Sequence, residues 1–593
     1  MDAKSIEVIA VSVVKESIVL SDYLDPIIQD NDKEPSWDGS VYIYRNKIKR
    51  KDSLAGRVPV QVKGKISSDH TQKEIMHRVH VDDLKNYLND GGAVYFVVYI
   101  NESGLIRTIY YTPLTPIKLR IYIKQAKENK TVNIPLQKFP EDGEAKANIF
   151  LNCYNDCQKQ ASFANAILYT EEELTKQGVL ENITFSVSSY GKKSEDAILS
   201  SEIYFYAKTK GGSILQPLEI IPTDLHILVD VPARITVSGK DFYNHFTRIK
   251  SIDETTLRFG ESFSITIPKN TQKWKVNYSP ADKLRQRAKD LEFLISVIEN
   301  CGFEINGNEL SFASDGLNLP DFDIAQQKIQ LKDLQNAEKL LHTLHCGEDL
   351  LFSKMKPTEY RNLFTLVQVF VENKPIQELW PNLSPVLKVP IGNLAFAVWA
   401  FHSGDNPNTY QIFDFFSHEH PVYLEDGGGL PISQFSILNT DDFLSLNNIQ
   451  FSALLPSFQK ITLADYVANR ANNMLLDLLS AYDRSGDTRI DILDAANSFA
   501  DWLSEIPQEF LCKNVSLLNK LQTIKRSRSL TEDEENQLYE LITHVSDDDV
   551  LTGAYLLLGI QQLANRHFKR MNAEQQNSFK LFPIYRFWNS SQA

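Results

Sequence analysis

Apolar and polar residues alternate along two short stretches near the start of the chain, Val41-Tyr42-Ile43-Tyr44 and Val58-Pro59-Val60-Gln61-Val62-Lys63. Alternation of this kind marks a strand with one buried face, and the basic, turn-like segment from Arg45 to Arg57 joins the two as a hairpin. Residues 6–20 ahead of it are expected to be helical, and residues 81–88 behind it to form a short helix. The run Ala93-Val94-Tyr95-Phe96-Val97-Val98-Tyr99-Ile100 is apolar throughout, as in a strand covered on both faces. A basic amphipathic stretch over residues 117–130 closes a first domain, 1–130.

The texture then changes. Residues 131–275 open with a helix expected over 149–168 and continue in short strand-like runs at 184–188, 202–207, 218–221, 225–229, 233–237 and 262–267. Gly, Pro, Asp and Lys separate these runs, which predicts an antiparallel sheet or sandwich. Residues 276–454 are mixed, with helical spacing over 281–300 and 323–345 and strands at 396–401 and 410–416. From 455 to 593 helices are expected at 463–482, 489–503, 514–526, 531–545 and 550–568, in a bundle or solenoid. Such helices bind a protein partner or pair with a second copy. The predicted class is a multidomain chain: an α/β core, a central antiparallel β region, a mixed α/β region and a helical C-terminal domain.

Charge changes this picture locally. The chain carries 62 Lys and Arg against 76 Asp and Glu, a net charge of −14, which argues against a generic nucleic-acid coat. Residues 1–130 nevertheless hold 20 basic against 17 acidic residues, and the remainder 42 against 59. No apolar run is long enough to cross a bilayer, and Met1-Asp2-Ala3-Lys4 lacks the features of a secretory signal, so a cytoplasmic protein is expected. Five cysteines in so long a chain do not form a disulfide framework. Cys153 with Cys157, and His342, His345 and Cys346, lack a further ligand pair and read as helix-face residues. Three glycines in Glu425-Asp426-Gly427-Gly428-Gly429-Leu430 lack the lysine and helix start of a phosphate-binding loop. The acids from Asp483 to Asp494 partly match a calcium loop, but Thr488 stands where its glycine belongs.

The candidate chemistry lies at the hairpin. Asp38, in Ser36-Trp37-Asp38-Gly39, leads into the first strand, and Gln61 and Lys63 end the second. Residues two apart share a strand face, so Gln61 and Lys63 project together and pairing carries both toward Asp38. A carboxylate, an amide oxygen and a lysine so arranged can hold Mg²⁺ and an attacking water, with the lysine orienting or deprotonating that water. Arg45, Lys47, Lys49, Arg50 and Lys51 on the hairpin loop are expected beside this site, gripping phosphates; a solvated hairpin tip carries lysines as well.

The strings Asn31-Asp32-Lys33-Glu34-Pro35-Ser36-Trp37-Asp38-Gly39 and Arg57-Val58-Pro59-Val60-Gln61-Val62-Lys63-Gly64-Lys65 resemble the PD-(D/E)xK nuclease superfamily, in particular the branch catalogued as domain of unknown function 4365. The resemblance covers about the first 130 residues. It implies a restriction-endonuclease-like core: a helix carrying a glutamate, the hairpin, a further helix and a further strand. It also implies Mg²⁺ (or Mn²⁺) held by Asp38, Gln61 and a helix glutamate, Glu7 in preference to Glu16, with Lys63 acting on water and Lys65 touching backbone phosphate. The superfamily usually has Asp or Glu where Gln61 stands, so the helix glutamate gains importance. The implied activity is metal-dependent endonuclease cleavage of DNA, with RNA as an alternative substrate, in a bacterial anti-phage defence effector. Opposed to it stands a non-catalytic interaction or scaffold protein, in which Gln61 marks a lost metal site.

Overall fold

The computed structural model describes residues 1–29, 36–212, 215–222, 224–271, 274–312, 322–377, 385–403, 406–424 and 429–588. The chain forms two compact units: residues 1–231 with 246–258 and 265–275, and residues 232–245 with 259–264 and 276–593.

The first unit begins with α1 (Ala3–Val19), capped by the Asp2 carboxylate, which accepts the Ser5 N–H at 2.7 Å. Helical spacing of Ala10, Val11, Val14 and Ile18 gives it one buried face. β1 (Leu24–Ile28), β2 (Gly39–Tyr44) and β3 (Leu54–Ile66) form an antiparallel meander. β4 (Glu74–His80) and α2 (Val81–Asn89) follow, and β5 (Ala93–Ile100) then lies parallel to β3. A parallel neighbour requires a crossover, which α2 supplies. β6 (Arg107–Leu114), α3 (Pro116–Ala126), β7 (Thr131–Lys138) and α4 (Gly143–Gln160) complete the layer. The seven strands are ordered β1-β2-β3-β5-β6-β7-β4.

Alternate residues of β5 feed two cores, and β3 contributes its apolar face to the first. Val58, Val60, Val62, Val94, Phe96 and Val98 pack with Ala10 and Val14 of α1 and Phe150 of α4. Tyr95, Val97 and Tyr99 pack with Leu84 and Tyr87 of α2, Leu119 of α3, and Ile75 and Val79 of β4. β4 pairs with β7 over seven residues, whereas β6 and β7 share only Tyr110↔Lys138 and Tyr111↔Gln137. Held so loosely, the β4–β7 ribbon folds back over the sheet, bringing His77 of β4 within 5.9 Å of Tyr95 on β5.

The boundary expected at residue 130 is therefore displaced. β7 completes the sheet, and α4, which ends at Gln160 instead of 168, covers its first face. In the β-rich central region, Leu180–Thr184, Tyr206–Thr209 and Gln216–Pro217 form a small antiparallel sheet. The runs expected at 225–229 and 233–237 are one strand, Ile227–Val237, running through Pro232.

In the second unit four antiparallel strands separate two cores. Phe396 and Val398 of Leu394–Ser403 face the helices Leu284–Glu299, Ile324–Thr343 and Pro357–Phe370, while Ala397 and Trp399 face Phe451–Gln459, Asp465–Arg484 and Ile490–Glu505. From Phe451 onward the elements are helical. The single helix expected over 550–568 breaks at Gly559, whose φ is 74°, into Asp548–Leu557 and Gln561–Phe568. The acids of the calcium-like segment are engaged by arginines: Asp483 binds Arg526 at 2.6 Å and also Arg586, and Asp487 binds Arg586 at 2.8 Å. Residues 425–428 of the glycine-rich segment lie outside the described residues. No helix among the described residues is long and apolar enough to cross a membrane.

Candidate active site

Ser36-Trp37-Asp38-Gly39 makes one tight corner in which each residue has its own task. Ser36 has a φ of 75°. Its hydroxyl donates to Asp83 Oδ1 at 3.0 Å and accepts from Asn86 Nδ2 at 3.0 Å, tying the corner to α2. Trp37 stands edge-on to Tyr87 at 6.1 Å. The Asp38 N–H donates to Val60 O at 3.0 Å and its carbonyl accepts from Gln29 N at 2.9 Å, fixing the residue between β1 and β3. Gly39 has a φ of 141°, and a Cβ there would lie 2.2 Å from Ile27 O, so only glycine lets β2 start against β1.

That corner aims the Asp38 carboxylate at the end of β3. Its Oδ2 accepts from the Val62 N–H at 2.6 Å and from the Gln61 amide. Gln61 is 3% exposed, and its Oε1 accepts a long hydrogen bond of 3.5 Å from the Tyr87 hydroxyl. In the parallel register Gln61 stands beside Tyr95, Lys63 beside Val97 and Lys65 beside Tyr99, so all three side chains belong to the face shared with α2 and β4. Lys65 Nζ lies 5.4 Å from the centre of the Tyr99 ring, a cation–π contact. Asp38 and Gln61 thus meet on β3, and Lys63 lies two residues further along the same face of that strand.

The helix glutamate is not delivered to this face. Gly64 turns toward α1, where a Cβ would meet Ile6 and Ala10, so α1 covers the opposite side of β3. Glu7 and Glu16 are exposed on that helix, and among the described residues neither is hydrogen-bonded or ion-paired to Asp38, Gln61 or Lys63. The second carboxylate near Asp38 is Asp83 on α2. Burial, and then the charges of Asp83 and Asp38 among others, push the Tyr87 and Tyr95 phenols above their usual range. Sequence reasoning passed over Asp83 because an acid in the first turn of a helix is ordinary. It also passed over His77. Burial, then Lys65 and Lys63, hold His77 below the usual histidine range, so it stays neutral at pH 7.

The basic loop is at the wrong end of the hairpin for the expected phosphate grip. Asp38 leads into β2 and the loop leaves it, so the two lie at opposite ends. The six steps from Asp38 to Tyr44, at about 3.3 Å each, separate them by roughly 20 Å. Lys47 pairs with Asp22 at 2.9 Å, Lys49 Nζ donates to Ser21 O and Leu24 O at 2.9 and 2.6 Å, and Arg45 donates to Leu54 O at 3.1 Å. Arg50 caps the short turn Lys51–Ser53. Lys47 and Lys49 brace the turn between α1 and β1, and Arg45 holds the hairpin loop itself.

Among the described residues no three His, Cys, Asp or Glu side chains form a metal cage. Mg²⁺ does not need one, because it keeps waters and substrate phosphates alongside one or two carboxylates. The Gln61 amide here turns its NH₂ to Asp38 and its oxygen to Tyr87. Half a turn of the amide would set Gln61 Oε1 against the carboxylate, an arrangement of two facing oxygens that only a cation makes favourable. The Tyr87 hydroxyl donates in one orientation and can accept in the other, so it tolerates both. The residues fit a weakly held Mg²⁺. Compared with family models, characterised proteins and solved structures, the chain has no match to any.

Proposed function

We propose that the chain is a Mg²⁺- or Mn²⁺-dependent nuclease with a restriction-endonuclease-like core, cleaving phosphodiester bonds in DNA as an effector of bacterial anti-phage defence. The observation that carries this reading is the meeting of Asp38, just before β2, with Gln61 of β3, with Lys63 next along the Gln61 face of that strand. The element order supports it: a helix, a meander, a second helix and a strand parallel to β3, in line with the resemblance to PD-(D/E)xK nucleases.

When bound, the metal neutralises charge on the phosphate and acidifies a water. Asp38 would hold it through its carboxylate and Gln61 through Oε1. Tyr87 and the Val62 N–H orient these two side chains. Lys63, next along the same face, positions the attacking water. Lys65 and neutral His77 beyond it face the scissile strand's neighbouring phosphates. Asp83 anchors Ser36 and so keeps the corner closed. The closed Asp38–Gln61 hydrogen bond and the helix glutamate's position across the sheet favour a scaffold without catalysis. Incubation with plasmid, linear and single-stranded DNA and RNA, in Mg²⁺, Mn²⁺ or EDTA, decides between them. Metal-dependent cleavage of DNA is expected, and intact nucleic acid in every metal condition would leave the scaffold.

Gln61→Glu puts a second buried carboxylate beside Asp38. It should retain cleavage, lower the Mg²⁺ requirement, and show a larger rise in melting temperature on adding Mg²⁺ than the native chain. Gln61→Ala should cleave less than Gln61→Glu at every metal concentration. Equal activity of the two across a titration removes Gln61 from the coordination shell.

Replacing Arg45, Lys47, Lys49, Arg50 and Lys51 by glutamine should lower the melting temperature, because the Lys49 bonds to Ser21 and Leu24 are lost. The slope of log affinity for DNA against log salt should stay the same, whereas each phosphate contact removed would reduce it by nearly one. Binding isotherms at three salt concentrations measure it, and a shallower slope would return the loop to the substrate path.

A further inference from the structure

The first unit contains a cavity of about 1560 Å³ that the Asp38 site does not use. α3, β6 and α4 line it together with the segment around Glu202 and Tyr204, and none of Asp38, Gln61 and Lys63 touches it. Polar side chains are buried in its wall, most of them in pairs. Lys118, 8% exposed, binds Glu202 at 2.8 Å, and the other Glu202 oxygen accepts from the Tyr204 hydroxyl at 2.6 Å. Thr115 is 1% exposed; its hydroxyl lies near the Tyr204 phenol, yet it is in hydrogen-bond geometry with no described atom. Asp156, 6% exposed, has the Tyr206 hydroxyl at a long 3.3 Å.

The charge of the lining selects the ligand. Seven carboxylates face four lysines, and two of those lysines are committed, Lys118 to Glu202 and Lys124 to Glu219. The volume exceeds the roughly 300–1,000 Å³ that encloses a compact small molecule, so it suits an elongated one. The rings of Tyr111 and Tyr122 give a methylene chain or an ammonium group an aromatic surface.

We propose that this cavity binds a linear organic polycation of the polyamine class, one ammonium group seated on Asp156 and the others on the remaining carboxylates. Asp156 carries a built-in signature of such a ligand. Burial pushes its carboxyl up to about 7; Lys159 and the Tyr206 hydroxyl oppose the rise and Glu202 adds to it, while the Tyr204 phenol and Cys153 thiol stand nearby. A cation on Asp156 favours the ionised form, so binding releases a proton and strengthens as pH rises through 7.

Titration calorimetry of the full chain with spermidine in about 0.15 M salt tests this. Saturable binding is expected, tightening about eightfold between pH 6.0 and 7.5 as a group of pKa about 7 ionises. Asp156→Asn keeps the shape and the Tyr206 contact; it should weaken binding at pH 7.5 by about tenfold and abolish the pH dependence. Glu532→Gln, on an exposed helix start of the other unit, should change neither. Absence of saturable heat, an affinity flat between the two pH values, or unaltered binding by Asp156→Asn would each overturn the proposal, the last showing surface counterion binding only. None of these outcomes depends on nuclease activity.

Discussion

Asp38→Ala should reduce Mg²⁺-dependent cleavage at least about 10³-fold, the scale of losing a group that stabilises charge where the reaction happens. The substitution also strips an acceptor from the Val62 N–H and the Gln61 amide, costing about 1–3 kcal/mol for buried donors left without partners. Loss of activity therefore has to be separated from loss of fold. Asp38→Asn does this, because its amide oxygen still accepts from Val62 while the charge is gone. Both variants should be inactive on plasmid DNA, and Asp38→Asn should melt close to the native temperature. Native cleavage by a well-folded Asp38→Ala protein would move the chemistry to another part of the chain.

Gly39→Ala should have the next largest effect, and through the backbone. A Cβ at residue 39 meets Ile27 O at 2.2 Å and Ile28 Cα at 2.8 Å, main-chain atoms of β1 that cannot rotate aside. Either β1 leaves β2 or the corner opens and swings Asp38 away from Gln61. A destabilisation of roughly 3 kcal/mol is expected from strain of this kind. Cleavage should fall even at temperatures where the variant is folded. Urea unfolding followed by tryptophan fluorescence reads the stability, with Trp37 of the displaced corner among the six tryptophans, and plasmid cleavage reads the activity. An unchanged midpoint with full activity would show that β1 has room to shift.

The sequence made the hairpin readable because β2 and β3 each keep one face on a core, so their period of two survives. It also made the meeting of Asp38 with Gln61 readable, since pairing of neighbouring strands follows from the turn. The basic loop was misplaced because closeness along the chain was taken for closeness in space; the six residues of β2 carry its two ends far apart. Glu7 failed for another reason. Which face of the sheet α1 covers depends on the connection from α1 into β1, and nothing inside α1 records it. His77 and Asp83 depend on the β4–β7 ribbon folding back and on the tie from Ser36 to α2, and neither has a local signal. Proline is among the residues that separate the expected runs, yet Pro232 lies inside one strand, since proline is tolerated where a strand's N–H faces away from a partner.

The pairing of β4 with β7 sets where the site-bearing layer can be cut. A fragment ending at residue 130 would keep every residue of the Asp38 corner but lose all seven partners of β4, leaving an open edge of unpaired main-chain groups. It would also expose Phe96 and Val98, which α4 helps to cover through Phe150. Open edges beside bare apolar surface promote intermolecular strand pairing. Excision at residue 130 should yield aggregates, and excision just past Gln160 the shortest piece that keeps β7 and α4 in place.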